Sequence, residues 1–203
     1  MLKDNKISVV IPAYTLNKDL EEMTMGCIAS LRDQVDELII TEDGGIYSDE
    51  IRRSCDVYIY NRENNGFSVN VNKGWKQATG DYVMIISSDI TLLSGNLNDL
   101  CVPGKVTSPI ITNQGIDRLA GPFFVVPKEI MKERGMLLEQ MHTYSSDSEY
   151  DHRVKDIFQK VKSIRVFHGQ AKTVSAAGIE GGIQQQTDRE IYQRLIEEGK
   201  AAH

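Results

Sequence analysis

The stretch DYVMIISSDITLL, Asp81–Leu93, decides the fold. Its apolar run, Tyr82 through Ile86, has no polar break and stops at Ser87-Ser88-Asp89. A run this short and this uniformly apolar reads as a strand buried on both faces, the kind found where helices cover a parallel sheet. Ligands of such open sheets bind beyond the carboxyl ends of the strands, which is where Asp89 falls.

The same form recurs upstream. KISVVIPAY (Lys6–Tyr14), DELIITEDGG (Asp36–Gly45) and CDVYIYNRENNG (Cys55–Gly66) each run apolar and then turn polar. Between them, Leu20, Met23, Cys27, Ile28 and Leu31 recur at three- and four-residue spacing, which predicts an amphipathic helix. Val71, Trp75 and Ala78 predict a second helix over Phe67–Ala78, closed by Gly80 as its C-terminal cap. Strands alternating with helices imply parallel pairing through right-handed crossovers, an α/β sheet covered on both faces. Four polar clusters, at Pro12–Tyr14, Glu42–Gly44, Asn61–Gly66 and Ser87–Asp89, are thereby brought to one sheet edge.

The second half is less regular. KVTSPI and GPFFVVP read as strands, Lys128–Arg134 as a short helix, and SIRVFHG as a further strand. Asp147–Lys162 reads as a longer helix whose leading acids suit the macrodipole. Gly169–Gln186 has no clear period and suits a lid or tail, while Asp188–Glu198 is periodic as an amphipathic helix. No repeat or linker interrupts the chain, so a single domain over residues 1–203 is expected. Its parts are a binding half at 1–90, a catalytic half at 91–185 and a C-terminal helix at 186–203.

Of the 203 residues, 40% are apolar and 26% charged, with a net charge of −6, an ordinary globular balance that disfavours broad attachment to nucleic acid or anionic lipid. No apolar run approaches a membrane span and no signal peptide leads the chain, so a cytoplasmic location is expected. Cys27, Cys55 and Cys101 are odd in number and widely spaced, which suits reduced structural thiols.

Neither glycine cradle for phosphates is present: G-x-G-x-x-G does not follow the first strand and G-x-x-x-x-G-K-[ST] is absent. A bound nucleotide therefore needs another partner for its charge, and a divalent cation held by a carboxylate is the common alternative. Asp89 suits that task, although a strand-end Asp also caps turns.

Order narrows the choice. Ile11-Pro12-Ala13-Tyr14, Glu42-Asp43-Gly44-Gly45, Asn65-Gly66-Phe67 with Asn72-Lys73-Gly74, and Ala78-Thr79-Gly80-Asp81-Tyr82 through Asp89 follow one another over about eighty residues. This series resembles the GT-A glycosyltransferases of family 2. The resemblance continues through Gly121–Pro127, Ser146–Arg153 and Val166-Phe167-His168-Gly169. It implies a GT-A fold, a mostly parallel central sheet flanked by helices, and inverting transfer of a sugar from a nucleoside diphosphate donor to an acceptor hydroxyl.

The implied roles follow by position. Pro12, Ala13, Tyr14, Asp43, Asn65, Gly66, Asn72, Ser87 and Ser88 would hold the nucleotide sugar, with Asp43 accepting from the base. Asp81 would lie near the donor, or serve as a turn residue. Asp89 and His168 would hold Mn2+ or Mg2+, with Ser87 standing where the family has the first Asp of its D-x-D element. Asp147 would be the catalytic base, with Glu149 as its substitute two residues on, and Arg153 would orient the base or remain a surface residue. The residues alone leave plainer readings open: an Asx turn at Asp43, a packing histidine at His168, and a helix-start acid at Asp147.

A nucleotidyltransferase would want a basic, glycine-rich loop after the first strand, which Ala13–Asn17 does not offer. A non-catalytic nucleotide-sugar or glycan-binding chain is the other alternative, kept open by Ser87 and by Ser146 and Glu149, which stand where the family's acidic element has Glu and Asp. The acceptor is a saccharide, a lipid-linked glycan, a protein or a modified nucleobase. Nucleic acid enters only as that last acceptor, with Arg118, Lys128, Lys132 and Arg134 as local basic residues. No pattern in the chain sets an oligomeric state.

Overall fold

The four apolar runs of the first half form β1 (Ile7–Ala13), β2 (Glu37–Asp43), β3 (Val57–Asn61) and β4 (Tyr82–Ile86). The computed structural model describes residues 5–115, 117–119, 121–169 and 181–198. These four strands lie parallel in the order β3-β2-β1-β4, joined through α1 (Lys18–Leu31), α2 (Asp49–Ser54) and α3 (Phe67–Gln77). Their runs are continuous because both faces are covered. Val9, Ile11, Met84 and Ile86 pack with Cys27, Ile28 and Leu31 of α1 on one face. Val10, Val83 and Ile85 pack with Val71 and Trp75 of α3 on the other.

The sheet continues through β5 (Ile90–Ser94), β6 (Val106–Ile111), β7 (Phe123–Pro127) and β8 (Phe158–His168), in the full order β3-β2-β1-β4-β7-β6-β8-β5. Here the direction alternates. β7 is antiparallel to both β4 and β6, β5 is antiparallel to β8, and β6 and β8 are parallel. The expected right-handed parallel pattern therefore stops at β4. Three further helices complete the described structure: α4 (Lys128–Arg134), α5 (Ser146–Val154) and α6 (Gly181–Glu197).

Four expectations are corrected. The helix expected over Asp147–Lys162 ends at Val154, because the chain from Phe158 alternates buried and exposed residues and joins the sheet as β8. The C-terminal helix begins at Gly181, within the segment read as a lid; the rest of that segment, 170–180, lies outside the described residues. α3 ends at Gln77 with Ala78 as its cap, and Gly80 instead donates its N–H to Ser8 Oγ at 2.8 Å. Finally, β5 follows the Asp89 turn directly, a strand the sequence did not announce. Among the described residues no helix is long and apolar enough to cross a membrane.

Candidate active site

The carboxyl ends of β1, β2 and β4 open onto a cavity of about 300 Å³. Pro12, Ala13 and Tyr14, Asp43, Gly66, and Ser87, Ser88 and Asp89 line it from the parallel half, and Asp147 and His168 from the other. Asn70, which no motif singled out, also lines it; its Nδ2 donates to Thr41 O at 2.7 Å.

The loops after β1 and β2 are tied by Glu42. Its Oε1 accepts from Thr15 N at 2.8 Å and Gly45 N at 3.1 Å, and its Oε2 from the Thr15 hydroxyl at 2.6 Å. Burial pushes its pKa up, the bonds from Thr15 and Gly45 pull against that, and the Asp43 charge adds to the rise.

Asp43, next along the chain, builds the Asn65-Gly66 turn. Its Oδ1 accepts from Asn65 N at 3.0 Å and Asn65 Nδ2 at 3.2 Å, and its Oδ2 from Gly66 N at 2.8 Å. Gly66 adopts φ +91°, and a Cβ there would stand 2.5 Å from His142 O, so only glycine fits. A carboxylate oxygen accepts two bonds comfortably, which leaves Oδ2 with capacity for a ligand.

Asp89 and His168 come together through the β5–β8 ladder, in which Ile90 pairs with His168 and Gly169 N donates to Asp89 O at 2.8 Å. His168 Nε2 stands 3.2 Å from Asp89 Oδ1, with both residues 8% exposed. The ring is held from behind, where Gln114 Nε2 lies 2.8 Å from Nδ1 and Asn113 Nδ2 donates to His168 O at 2.8 Å. Two ligands at right angles around a cation bound at ~2.1 Å stand about 3 Å apart, so the pair is spaced to serve as adjacent ligands. Among the described residues no third His, Cys, Asp or Glu completes a metal cluster. A cation here would take its remaining ligands from water and substrate, as magnesium-type sites do.

Asp147 sits in the first turn of α5. Its Oδ1 accepts from Ser148 N at 2.9 Å, its Oδ2 from Gly121 N at 3.3 Å, and Arg118 Nη1 lies 3.7 Å from Oδ2.

The other sequence-derived residues lie elsewhere. Glu149 is fully buried and held from both oxygens by Arg153, at 2.6 and 2.7 Å, so it does not reach the cavity and cannot substitute for Asp147. Arg153 is accordingly buried too, and its other donors go to Arg134 O and Met136 O. Asn72 points away from the cavity and joins α3 to the chain at Leu137, donating to Leu137 O at 2.8 Å and accepting from Leu137 N at 3.2 Å. Asn65 supports Asp43 without lining the cavity. Asp81 immediately precedes β4, at the opposite end from Asp89, and accepts from Lys6 N at 3.1 Å.

Further segments complete the cavity. Pro122 O accepts from Ser87 N at 2.8 Å, so the chain entering β7 lies against the β4 exit. Thr143, Tyr144, Ser145 and Ser146 form the side that leads into α5. Nothing in the composition of Thr143–Ser145 marks them; only the fold of the second half brings them here.

Residues 8–101 match the family model of glycosyl transferase family 2. No curated protein matches the chain in sequence. Solved structures match in fold. The mannosyltransferase PcManGT from Pyrobaculum calidifontis, in complex with GDP-Man and Mn2+, superposes with a TM-score of 0.67 at 12% identity, covering 87% of this chain and 60% of that one. TarS from S. aureus superposes at 0.64 and 15% identity, covering 80% of this chain and 36% of that one. Its 1–349 fragment in complex with UDP-GlcNAc superposes at 0.65 and 15%, covering 84% and 61%. This chain thus spans between about a third and three fifths of these relatives.

Proposed function

With the fold that of the family 2, GT-A glycosyltransferases, we propose that this chain transfers a sugar from a nucleoside diphosphate donor to an acceptor hydroxyl, with inversion. The observation that carries this reading is one cavity that takes in Asp43, the Asp89–His168 pair and Asp147 together. Three carboxylates around a space of about 300 Å³ repel a diphosphate unless a cation intervenes. Asp89 and His168 would hold that cation, Mn2+ or Mg2+, which when bound stabilises the negative charge of a leaving diphosphate. PcManGT, solved with GDP-Man and Mn2+, supports a divalent cation beside the donor in this fold.

On this reading Asp43 Oδ2 accepts a hydrogen bond from the base, and Pro12–Tyr14 and Ser87-Ser88 flank the donor. Asp147 Oδ2 takes the proton of the acceptor hydroxyl. The acceptor oxygen then bonds to the anomeric carbon, and the bond from that carbon to the diphosphate breaks, its electron pair leaving with the diphosphate. Arg118, 3.7 Å from Asp147, keeps the base oriented before the acceptor arrives.

The test is calorimetric titration with nucleoside diphosphates and nucleotide sugars, with manganese and with chelator. Binding that requires metal is expected, and loss of that binding in Asp89→Ala with the fold intact. Asp147→Asn should keep donor binding and lose about a hundredfold or more in turnover. Metal-independent binding in the wild type, or full activity in either variant, would end the assignment. Ser87, in place of the first acid of the D-x-D element, favours a second reading as a non-catalytic nucleotide-sugar binder. Metal-dependent binding without turnover for any acceptor would establish that one.

A further inference from the structure

We infer that Asp188, on α6, is a positioning residue for the cavity wall that carries Asp147. α6 packs on the chain ahead of α5 through a small core of Met141 and Leu195, with Leu138, Ile191 and Tyr192 against it. Asp188 lies beside this core at 1% exposure. Its Oδ1 accepts from His142 N at 3.0 Å and from Gln184 Nε2 at 2.9 Å. Its Oδ2 accepts from Thr143 N at 2.9 Å and Tyr144 N at 2.7 Å. Three successive backbone N–H groups therefore close on one carboxylate, the concave arrangement that backbone forms around an anion.

What this latch fixes lies one residue further on. Ser145 adopts φ 62°, the one left-handed non-glycine residue among those described. A serine stays there only when its surroundings hold it. Ser145 O accepts from Glu149 N at 2.9 Å, so its conformation sets where α5 starts and hence where Asp147 points. The latch has a second arm, because His142 O accepts from Phe67 N at 2.6 Å, beside the Gly66 turn that Asp43 holds. α6 thus ties the candidate base to the donor side of the cavity.

This inference rests on the reading of Asp147 as the base, and its test separates the two. Amide hydrogen exchange at residues 142–146 is compared in the wild type, Asp188→Ala, Asp188→Asn and Gln184→Ala, with turnover measured in parallel. Asp188→Ala is expected to speed exchange of those amides about tenfold or more while β1 and β4 amides keep their protection, which shows that the fold persists. Its kcat should fall about tenfold to a hundredfold, with donor KM moved less than about threefold. Asp188→Asn, which keeps one acceptor oxygen, should fall between. Gln184→Ala, which removes only a bond within α6, should match the wild type in both readouts. Unchanged exchange at 142–146 would overturn the inference, and so would faster exchange with wild-type kcat. If the wild type transfers no sugar, the glycosyltransferase reading fails alone, and the exchange result still decides whether Asp188 holds the wall.

Discussion

Glu42 and Asp43 are neighbours on β2, yet their carboxylates serve different ends because their side chains leave opposite faces of the strand. Asp43 faces the cavity, while Glu42 is sealed beneath the loops it ties. The upward shift of the Glu42 pKa has a consequence for stability. A carboxyl whose folded pKa exceeds its unfolded value contributes fully below the unfolded value, and that contribution is lost as pH rises through the folded one. Glu42→Gln preserves the shape, keeps an oxygen for Thr15 N and Gly45 N, and allows its amide to donate to the Thr15 hydroxyl. The thermal midpoint of the Gln variant should therefore gain on the wild type as pH rises above the ordinary carboxylate range, and parallel curves would show that Glu42 carries no such cost.

Helices and strands were legible from the sequence where one element meets one environment. β1 to β4 lie between two helical layers, and their unbroken apolar runs say so. In β8, Ser163–His168 reads as a strand, but Phe158–Lys162 reads as more helix because it continues the polar character of α5; only pairing with β6 makes that first part a strand. The site was legible where a motif supplies a side chain at a strand exit, as at Asp43 and Asp89. It was illegible where residues outside any motif line the cavity, as at Thr143–Ser145, and where a helix beyond the motifs does the holding, as at Asp188. Asn72 belonged to a motif but turned toward packing, since α3 offers only one of its faces to the cavity. The crossing of α3 over β1 gives the test at this scale. A Cβ on Gly74 would stand 2.4 Å from Val10 Cγ1 and 3.1 Å from Thr41 Cγ2. Alanine gains ~1 kcal/mol in helix propensity. Overpacking against a β-branched, fully buried neighbour costs about 1–3 kcal/mol. Gly74→Ala should accordingly lower stability by a net of roughly 1 kcal/mol, read from the urea midpoint; a rise would mean that α3 slides freely on the sheet.

Across the whole molecule, one sheet of eight strands separates two cores. Trp75, the only tryptophan, reports on one, where it packs edge-on against Phe124 and Tyr150. Cys27 and Cys101 report on the other, and burial raises both thiols well above the usual range. If the chain unfolds as one unit, tryptophan emission and the reactivity of these two thiols share a midpoint in urea; two midpoints would mean that the two faces of the sheet lose their cores separately. The β4–β7 junction is where the sheet changes direction. The parallel strands deliver their carboxyl ends to the cavity, whereas β7, antiparallel to β4, delivers its amino end. The segment between β6 and β7 therefore reaches the rim from two sides at once: Asn113 and Gln114 hold His168, Arg118 and Gly121 meet Asp147, and Pro122 meets Ser87. A change in its length would be felt at all three strand and helix ends together, which makes this one segment a common brace for the cavity.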